Sequence, residues 1–252
     1  MNERPIVLLT NDDGIGAAGL LALERAFAGQ DGVETWTVAP ARGQSTTSHG
    51  MTLYRPVFVE EMCERRFAVE ALPSDCVYLA LFGLLPRMPA VVLSGINRGA
   101  NLGQDVIYSG TVAAAREAVV RGVHGIAASL VHGSSYEAAA RSARDVTLAV
   151  LACSSPSPLL LNLNYPEGEF QGPQLAPLGQ RRYPWVVDRR VSPGGSAYYW
   201  LGGPAVLDEE VPGSDGWLVG RGIASATPLQ LDQTLHSSCA PGSLVDDLLA
   251  GL

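Results

Sequence analysis

The sequence predicts an α/β fold. It is a Rossmann-like, three-layer αβα arrangement with a mostly parallel sheet, plus a β-rich C-terminal elaboration with hairpin arms. Three observations predict it. Apolar runs of strand length alternate with helical periodicities through the first two thirds of the chain. Those runs are continuously apolar, as expected for parallel strands buried on both faces. Polar clusters fall at their carboxyl ends, where open α/β sheets bind ligands.

In chain order, residues 5–10 (PIVLLT) form the first apolar strand, and a helix follows Gly16 with Leu20, Leu23 and Phe27 on one face. Residues 33–40 (VETWTVAP) are β-branched and apolar, hence a second strand. Residues 74–86 read as a helix that opens on the cap residues Ser74 and Asp75 and stops at Pro86. A third strand, 89–94 (PAVVLS), precedes a polar, glycine-rich loop. A helix over 110–122 ends at Gly122, GIAASL is a strand, 136–153 a long helix and 159–165 (LLLNLNY) a strand. Beyond about residue 166 helical periodicity fades and Gly, Pro and aromatic residues become frequent, with SPGG at 192–195 as a hairpin tip. Residues 1–166 are read as the core and 167–252 as an elaboration of the same domain, closed by a short helix over 242–252.

Composition narrows the function. With 252 residues, 47% hydrophobic and 17% charged, the chain can bury a full core. Its formal charge of −8 argues against a nucleic-acid polymer as partner, which normally meets a basic face. A small anionic substrate remains compatible if a metal or backbone N–H groups neutralise it. The four cysteines are scattered without a C-x-x-C pair, no signal-peptide pattern opens the chain, and no apolar run reaches the roughly 20 residues of a membrane span. A reduced, cytoplasmic protein without membrane attachment is expected.

Three clusters carry chemistry. In LLTNDDGIGAAGL (8–20), Asp12 and Asp13 stand side by side at the end of a buried strand. One reading is a helix cap with a solvated neighbour. The other is a hard-cation site of carboxylate, amide and hydroxyl oxygens, suited to magnesium, manganese or calcium. In ARGQSTTSHGMTL (41–53), Ser45 offers a neutral oxygen, Arg42 an anion contact and His49 an acid, base or donor; an ordinary polar loop is the alternative. In LSGINRGANLGQDVIYSGTVAAAREA (93–118), Asn97 and Asn101 offer amides, and Ser109, Gly110 and Thr111 open a helix whose unpartnered N–H groups suit an anion. Neither a Walker phosphate loop nor a convincing dinucleotide fingerprint is present: GIGAAG (14–19) has the spacing, but Asp12 and Asp13 directly before it would repel a pyrophosphate. A metal site and an anion site at one sheet edge point to phosphate-ester chemistry.

These same stretches, with LPSDCVYLAL, LLLNLNYP, YYWLGG and GRGIASATPLQLDQT, resemble the successive signatures of the survival-protein SurE family across nearly the entire chain. The resemblance implies a metal-dependent nucleotidase acting on nucleoside 5′-monophosphates or 3′-monophosphates. It implies one divalent cation per subunit, Mg²⁺ or Mn²⁺, on Asp12, Asp13, Ser45 and Asn97. It places the phosphate at Asn101 and the Ser109-Gly110-Thr111 turn. Asp12 or Asp13 would orient or deprotonate the attacking water. It also implies a homodimer or homotetramer formed by exchanged C-terminal arms. Other readings are a phosphatase for a non-nucleotide ester or short polyphosphate, and a non-catalytic metal-dependent nucleotide-binding protein. Two positions depart from the family's usual pattern: Leu72 precedes Pro73 where Thr is usual, and Thr46 follows Ser45 where Gly is usual. Because Gly110 is distant in sequence from the expected metal ligands, replacing it is expected to affect phosphate binding and leave metal affinity nearly unchanged.

Overall fold

The structure, a computed structural model, describes residues 4–153, 155, 157–183, 186–201 and 207–234, with backbone alone at 207–209. The helix expected over 242–252 lies outside the described residues, as do Cys239 and part of YYWLGG.

The elements run β1 (Ile6–Thr10), α1 (Ala18–Phe27), β2 (Glu34–Pro40), β3 (Val59–Cys63), β4 (Arg66–Val69), α2 (Pro73–Leu79), β5 (Val91–Arg98), α3 (Gly110–Val120), β6 (His124–Leu130), α4 (Glu137–Ala152) and β7 (Leu160–Tyr165). The C-terminal part adds β8 (Gln171–Leu175), β9 (Gln180–Arg182), β10 (Val187–Val191), β11 (Ala197–Leu201), β12 (Leu207–Glu209), α5 (Asp215–Val219) and β13 (Ile223–Pro228). Nine strands form one sheet in the order β3-β4-β2-β1-β5-β6-β7-β13-β8, and β10-β11 and β12-β9 form two small ribbons. From β4 to β7 every neighbouring pair is parallel; β3 on β4 and β13 on β7 are antiparallel.

The continuous apolar runs are explained by the two faces they serve. Val7 and Leu9 join Leu20, Leu23, Phe27, Ala140 and Ala143 in the core under α1 and α4. Leu8 and Val92, one position out of phase, join Val77, Ala80, Ala114 and Ala118 under α2 and α3. Successive strand residues point to opposite faces, so a strand covered on both sides has no polar phase.

Three local expectations are corrected. The strand expected at 89–94 continues to Arg98, so Ser94-Gly95-Ile96-Asn97 lies within it and not after it. One extra residue between Ser94 and Asn97 shifts the register and pairs Asn97 with Ser129. Gly95 permits the bulge, since a Cβ there would sit 2.3 Å from the Ala128 carbonyl oxygen. The helix expected over 74–86 ends at Leu79 and widens into a looser turn over Ala80–Leu84. Its cap is Asp75 alone, acting from inside the first turn: its carboxylate accepts the Leu72 N–H at 3.0 Å and the Thr52 N–H at 2.8 Å. Finally, β8 and β13 join the main sheet beyond β7, so part of the C-terminal region extends the core.

Candidate active site

The order in which the parallel strands are laid down reverses at β1, whose neighbours are β2 on one side and β5 on the other. The carboxyl ends of β1 and β5 therefore border the crevice where doubly wound sheets bind ligands. Asn11, Asp12 and Asp13 leave β1 at this point. Asn11 closes a tight turn, donating to the Gly14 carbonyl at 2.9 Å and accepting the Gly14 N–H at 3.2 Å.

Asp12 is 6% exposed. The Thr111 hydroxyl donates to its Oδ1, and a Cβ on Gly110 would stand 3.0 Å from its Oδ2. The first turn of α3 thus sits directly on Asp12. Ser109 caps α3 by accepting the Val112 N–H at 3.1 Å. Burial pushes the Asp12 carboxyl up to about 6; hydrogen bonds from the Thr111 side chain and backbone oppose the rise, and the neighbouring Asp13 charge adds to it. Asp13 is half-buried and accepts the Arg98 N–H at 2.9 Å. Burial raises its carboxyl too, against the pull of Arg98.

Asn97 turns its amide N–H to the Gly99 carbonyl at 2.9 Å, which leaves its Oδ1 as an acceptor without a hydrogen bond among the described residues. Ser45 is exposed on the turn after β2. The turn is pinned to the site, because the Gln44 N–H donates to the Asp12 carbonyl at 2.7 Å. Thr46, standing where the family usually has Gly, adopts φ 57°, a left-handed conformation that strains a β-branched residue.

The structure therefore gathers Asp12, Asp13, Ser109, Gly110 and Thr111, with Asn97 and Ser45 on adjoining segments. Asn101 is held differently. Its side chain donates to Ser129 Oγ at 2.8 Å, its carbonyl accepts from Asn162 (2.8 Å) and Asn164 (3.0 Å), and its N–H donates to Asn164 Oδ1 at 2.9 Å. His49 is paired with Glu117 at 2.9 Å, away from the first turn of α3. Burial opposes ionisation of Glu117, but hydrogen bonds from His49 and Arg121 bring its carboxyl below the usual value.

Sequence reasoning missed the residues that fix this loop. Asp105 meets Arg181 and Tyr183, and Asp215 accepts the Gly103 N–H at 2.9 Å and the Gly179 N–H at 2.7 Å. Asn162 and Asn164 gave the one available signal: two amides on the same face of a buried strand need partners.

Among the described residues no three His, Cys, Asp or Glu side chains cluster as a metal site. The donor set is instead two carboxylates with neutral amide and hydroxyl oxygens. Neither Asp12 nor Asp13 forms a salt bridge among the described residues, and each raises its own cost of ionisation by burial. A hard divalent cation fits this imbalance.

Fold and site together define a doubly wound α/β protein with an oxygen-rich cradle at its topological switch point. Residues 7–185 match the family described as Survival protein SurE. The chain is 45% identical over 248 residues to the 5′-nucleotidase SurE of Anaeromyxobacter sp. (strain Fw109-5), covering 94% of this chain and 96% of that protein. It is 42% identical over 238 residues to the 5′-nucleotidase SurE of Geobacter sulfurreducens, covering 92% and 90%. The crystal structure of the SurE protein from Aquifex aeolicus superposes with a TM-score of 0.80 at 34% identity, covering 92% of this chain and 96% of that one. The chain belongs to the survival protein SurE family.

Proposed function

We propose that the chain is a nucleotidase that hydrolyses the phosphate monoester of nucleoside 5′-monophosphates, using one divalent cation, Mg²⁺ or Mn²⁺, per subunit. The observation that carries this reading is a carboxylate pair, Asp12 buried and Asp13 half-buried, unmatched by a salt bridge among the described residues, with Asp12 in contact with the first turn of α3. The relatives named 5′-nucleotidase support the same chemistry.

Asp12, Asp13, Asn97 Oδ1 and Ser45 Oγ would hold the cation, which supplies charge neutralisation and polarises the phosphoryl oxygen. The Gly110 N–H and the α3 dipole receive the remaining phosphate charge as it grows toward the transition state, the Ser109 N–H being already bonded to the Asp105 carbonyl at 3.2 Å. Thr111 holds Asp12 in place, and Asn101 anchors the loop through its backbone. Asp12 orients the attacking water in line with the departing ribose oxygen. No helix among the described residues is long and apolar enough to cross a membrane, and we place the enzyme in the cytoplasm as a homodimer or homotetramer.

The test is hydrolysis of a nucleoside-monophosphate panel after exhaustive dialysis against EDTA, then with Mg²⁺ or Mn²⁺ restored. Activity is expected to vanish and return. Full turnover in excess EDTA would eliminate the cation, and metal-restored cleavage of other phosphate esters alone would eliminate the nucleotide.

A further inference from the structure

Resting on the nucleotidase reading above, we infer that a pocket adjoining the cradle is the base subsite and that it selects guanine. The pocket has a volume of about 410 Å³ and is lined by Arg42, Gln44, Arg55, Val69, Glu70 and Leu72, among others. This size falls within the ~300–1,000 Å³ of small-ligand sites. Its two walls are joined at the back, where the Ala41 N–H donates to the Val69 carbonyl at 2.7 Å. Each wall also leads into the cradle. On one side, Gln44 is hydrogen-bonded through its backbone to Asp12. On the other, Leu72 is followed by Pro73, whose Cγ would lie 3.2 Å from a Cβ on Gly110. A phosphate seated at Gly110 therefore directs its nucleoside toward this opening.

The side chains of Arg42, Gln44, Arg55 and Glu70 make no hydrogen bond or ion pair among the described residues. Several other arginines of this protein are engaged: Arg66 with Glu24, Arg121 with Glu117 and Arg87 with Glu34. Guanidinium groups only donate and a carboxylate only accepts. The ligand that satisfies both must carry acceptors and donors on neighbouring edges. Guanine does so, with O6 and N7 for a guanidinium and N1–H with the 2-amino group for Glu70. Adenine puts an amino donor where the arginine needs an acceptor. A second phosphate would be repelled by Glu70. Leu72, half-buried at the pocket edge, supplies apolar contact for the ring and stands where the family usually carries a hydroxyl.

The test compares GMP, AMP, UMP and p-nitrophenyl phosphate, the last having no base, on the metal-loaded wild type, Arg55→Ala and Glu70→Gln. Wild type is expected to favour GMP over AMP by about tenfold or more in kcat/KM. Each variant should lose about tenfold on GMP, chiefly through KM, and stay within about twofold on AMP and p-nitrophenyl phosphate. Because both residues are exposed and outside the cradle, p-nitrophenyl phosphate turnover also reports that the variants are folded. An unchanged GMP-to-AMP ratio in both variants overturns the subsite, as does a parallel fall on every substrate. A wild type that cleaves p-nitrophenyl phosphate but no nucleoside monophosphate overturns instead the nucleotidase reading beneath it.

Discussion

Asp12 is a buried carboxyl, 6% exposed, beside a second carboxyl at the centre of the proposed cradle. In metal-free protein its carboxyl titrates at about 6, against 3.8 for an unperturbed Asp, because burial and Asp13 outweigh the hydrogen bonds from Thr111. Arg98 moderates the field from the side of Asp13. An acid raised in the folded state stabilises the fold below its unfolded pKa and loses that contribution as pH rises through the folded value. Between pH 4 and 7 the loss is about 2 kcal/mol. Urea unfolding in EDTA should therefore show Asp12→Asn gaining on wild type across that window, and a gap that does not move with pH would refute the assignment. Gly110 makes the second test. A valine side chain there would strike Asp12 and Pro73, so Gly110→Val is expected to lower hydrolysis by about 100-fold or more and to weaken Mn²⁺ binding as well. This reverses the expectation from sequence separation, because residues 98 positions apart in the chain are in contact. Calorimetric Mn²⁺ affinity equal to wild type would show that Asp12 absorbs the substitution. Asp12, Asp13, Ser109, Gly110 and Thr111 were legible because each combines an unusual residue type with a strand end or helix start. The hold on Asn101 was not, because its partners Ser129, Asn162 and Asn164 come from two other strands.

Elements that looked peripheral prove to brace the site. The β-rich region reaches the phosphate loop through Asp215, which is fully buried and accepts the N–H groups of Gly103, Gly179 and Gly216. In Asp215→Asn a weaker acceptor replaces the charge, and an added N–H₂ faces donors. We expect a loss of about 2–3 kcal/mol in denaturant unfolding, together with reduced hydrolysis, because the loop between β5 and α3 loses its tether. Unchanged stability would mean that solvent or other groups satisfy these amides. The strands β1 and β6 were legible as buried apolar runs, and β2 and β7 from their β-branched and apolar residues, although β7 keeps one polar phase in Asn162 and Asn164. The ribbon of β3 and β4 was not, since β3 is exposed along its length and carries Glu60 and Glu61. β13 escaped because it follows a long irregular stretch and pairs antiparallel with β7, outside the βαβ rhythm. The GIGAAG spacing has a packing explanation: a Cβ on Gly19 would lie 1.9 Å from the Ile96 carbonyl oxygen, so this glycine brings α1 against the bulged part of β5.

At the scale of the whole molecule the hairpin β10-β11 stands apart from the main sheet. Among the described residues its strands pair only with each other, and every residue of β11 is exposed. Trp200 is 60% and Leu201 83% exposed, and Val187 and Val191 on the facing strand are exposed too. A lone two-stranded hairpin is marginally stable in water, and an apolar one adds an aggregation hazard. Both problems are relieved if a second copy of the chain covers the aromatic face. The SPGG tip read from the sequence supports the turn itself, since Ser192 accepts the Gly195 N–H and its side chain accepts the Ser196 N–H. The expected mass in solution is then at least about 53 kDa, twice the chain mass of 26.5 kDa. Replacing Tyr198 and Trp200, which share one face of β11, together by Glu puts two carboxylates on the covered surface and should shift the light-scattering mass toward the single chain. The proposed cradle lies on β1, β5 and α3, so Mn²⁺ affinity should be kept in that variant. A wild-type chain running as a monomer at micromolar concentration would refute the exchanged-arm assembly. A variant that remained dimeric would move the interface elsewhere, leaving the exposed tryptophan without a covering partner and the hairpin's stability without this explanation.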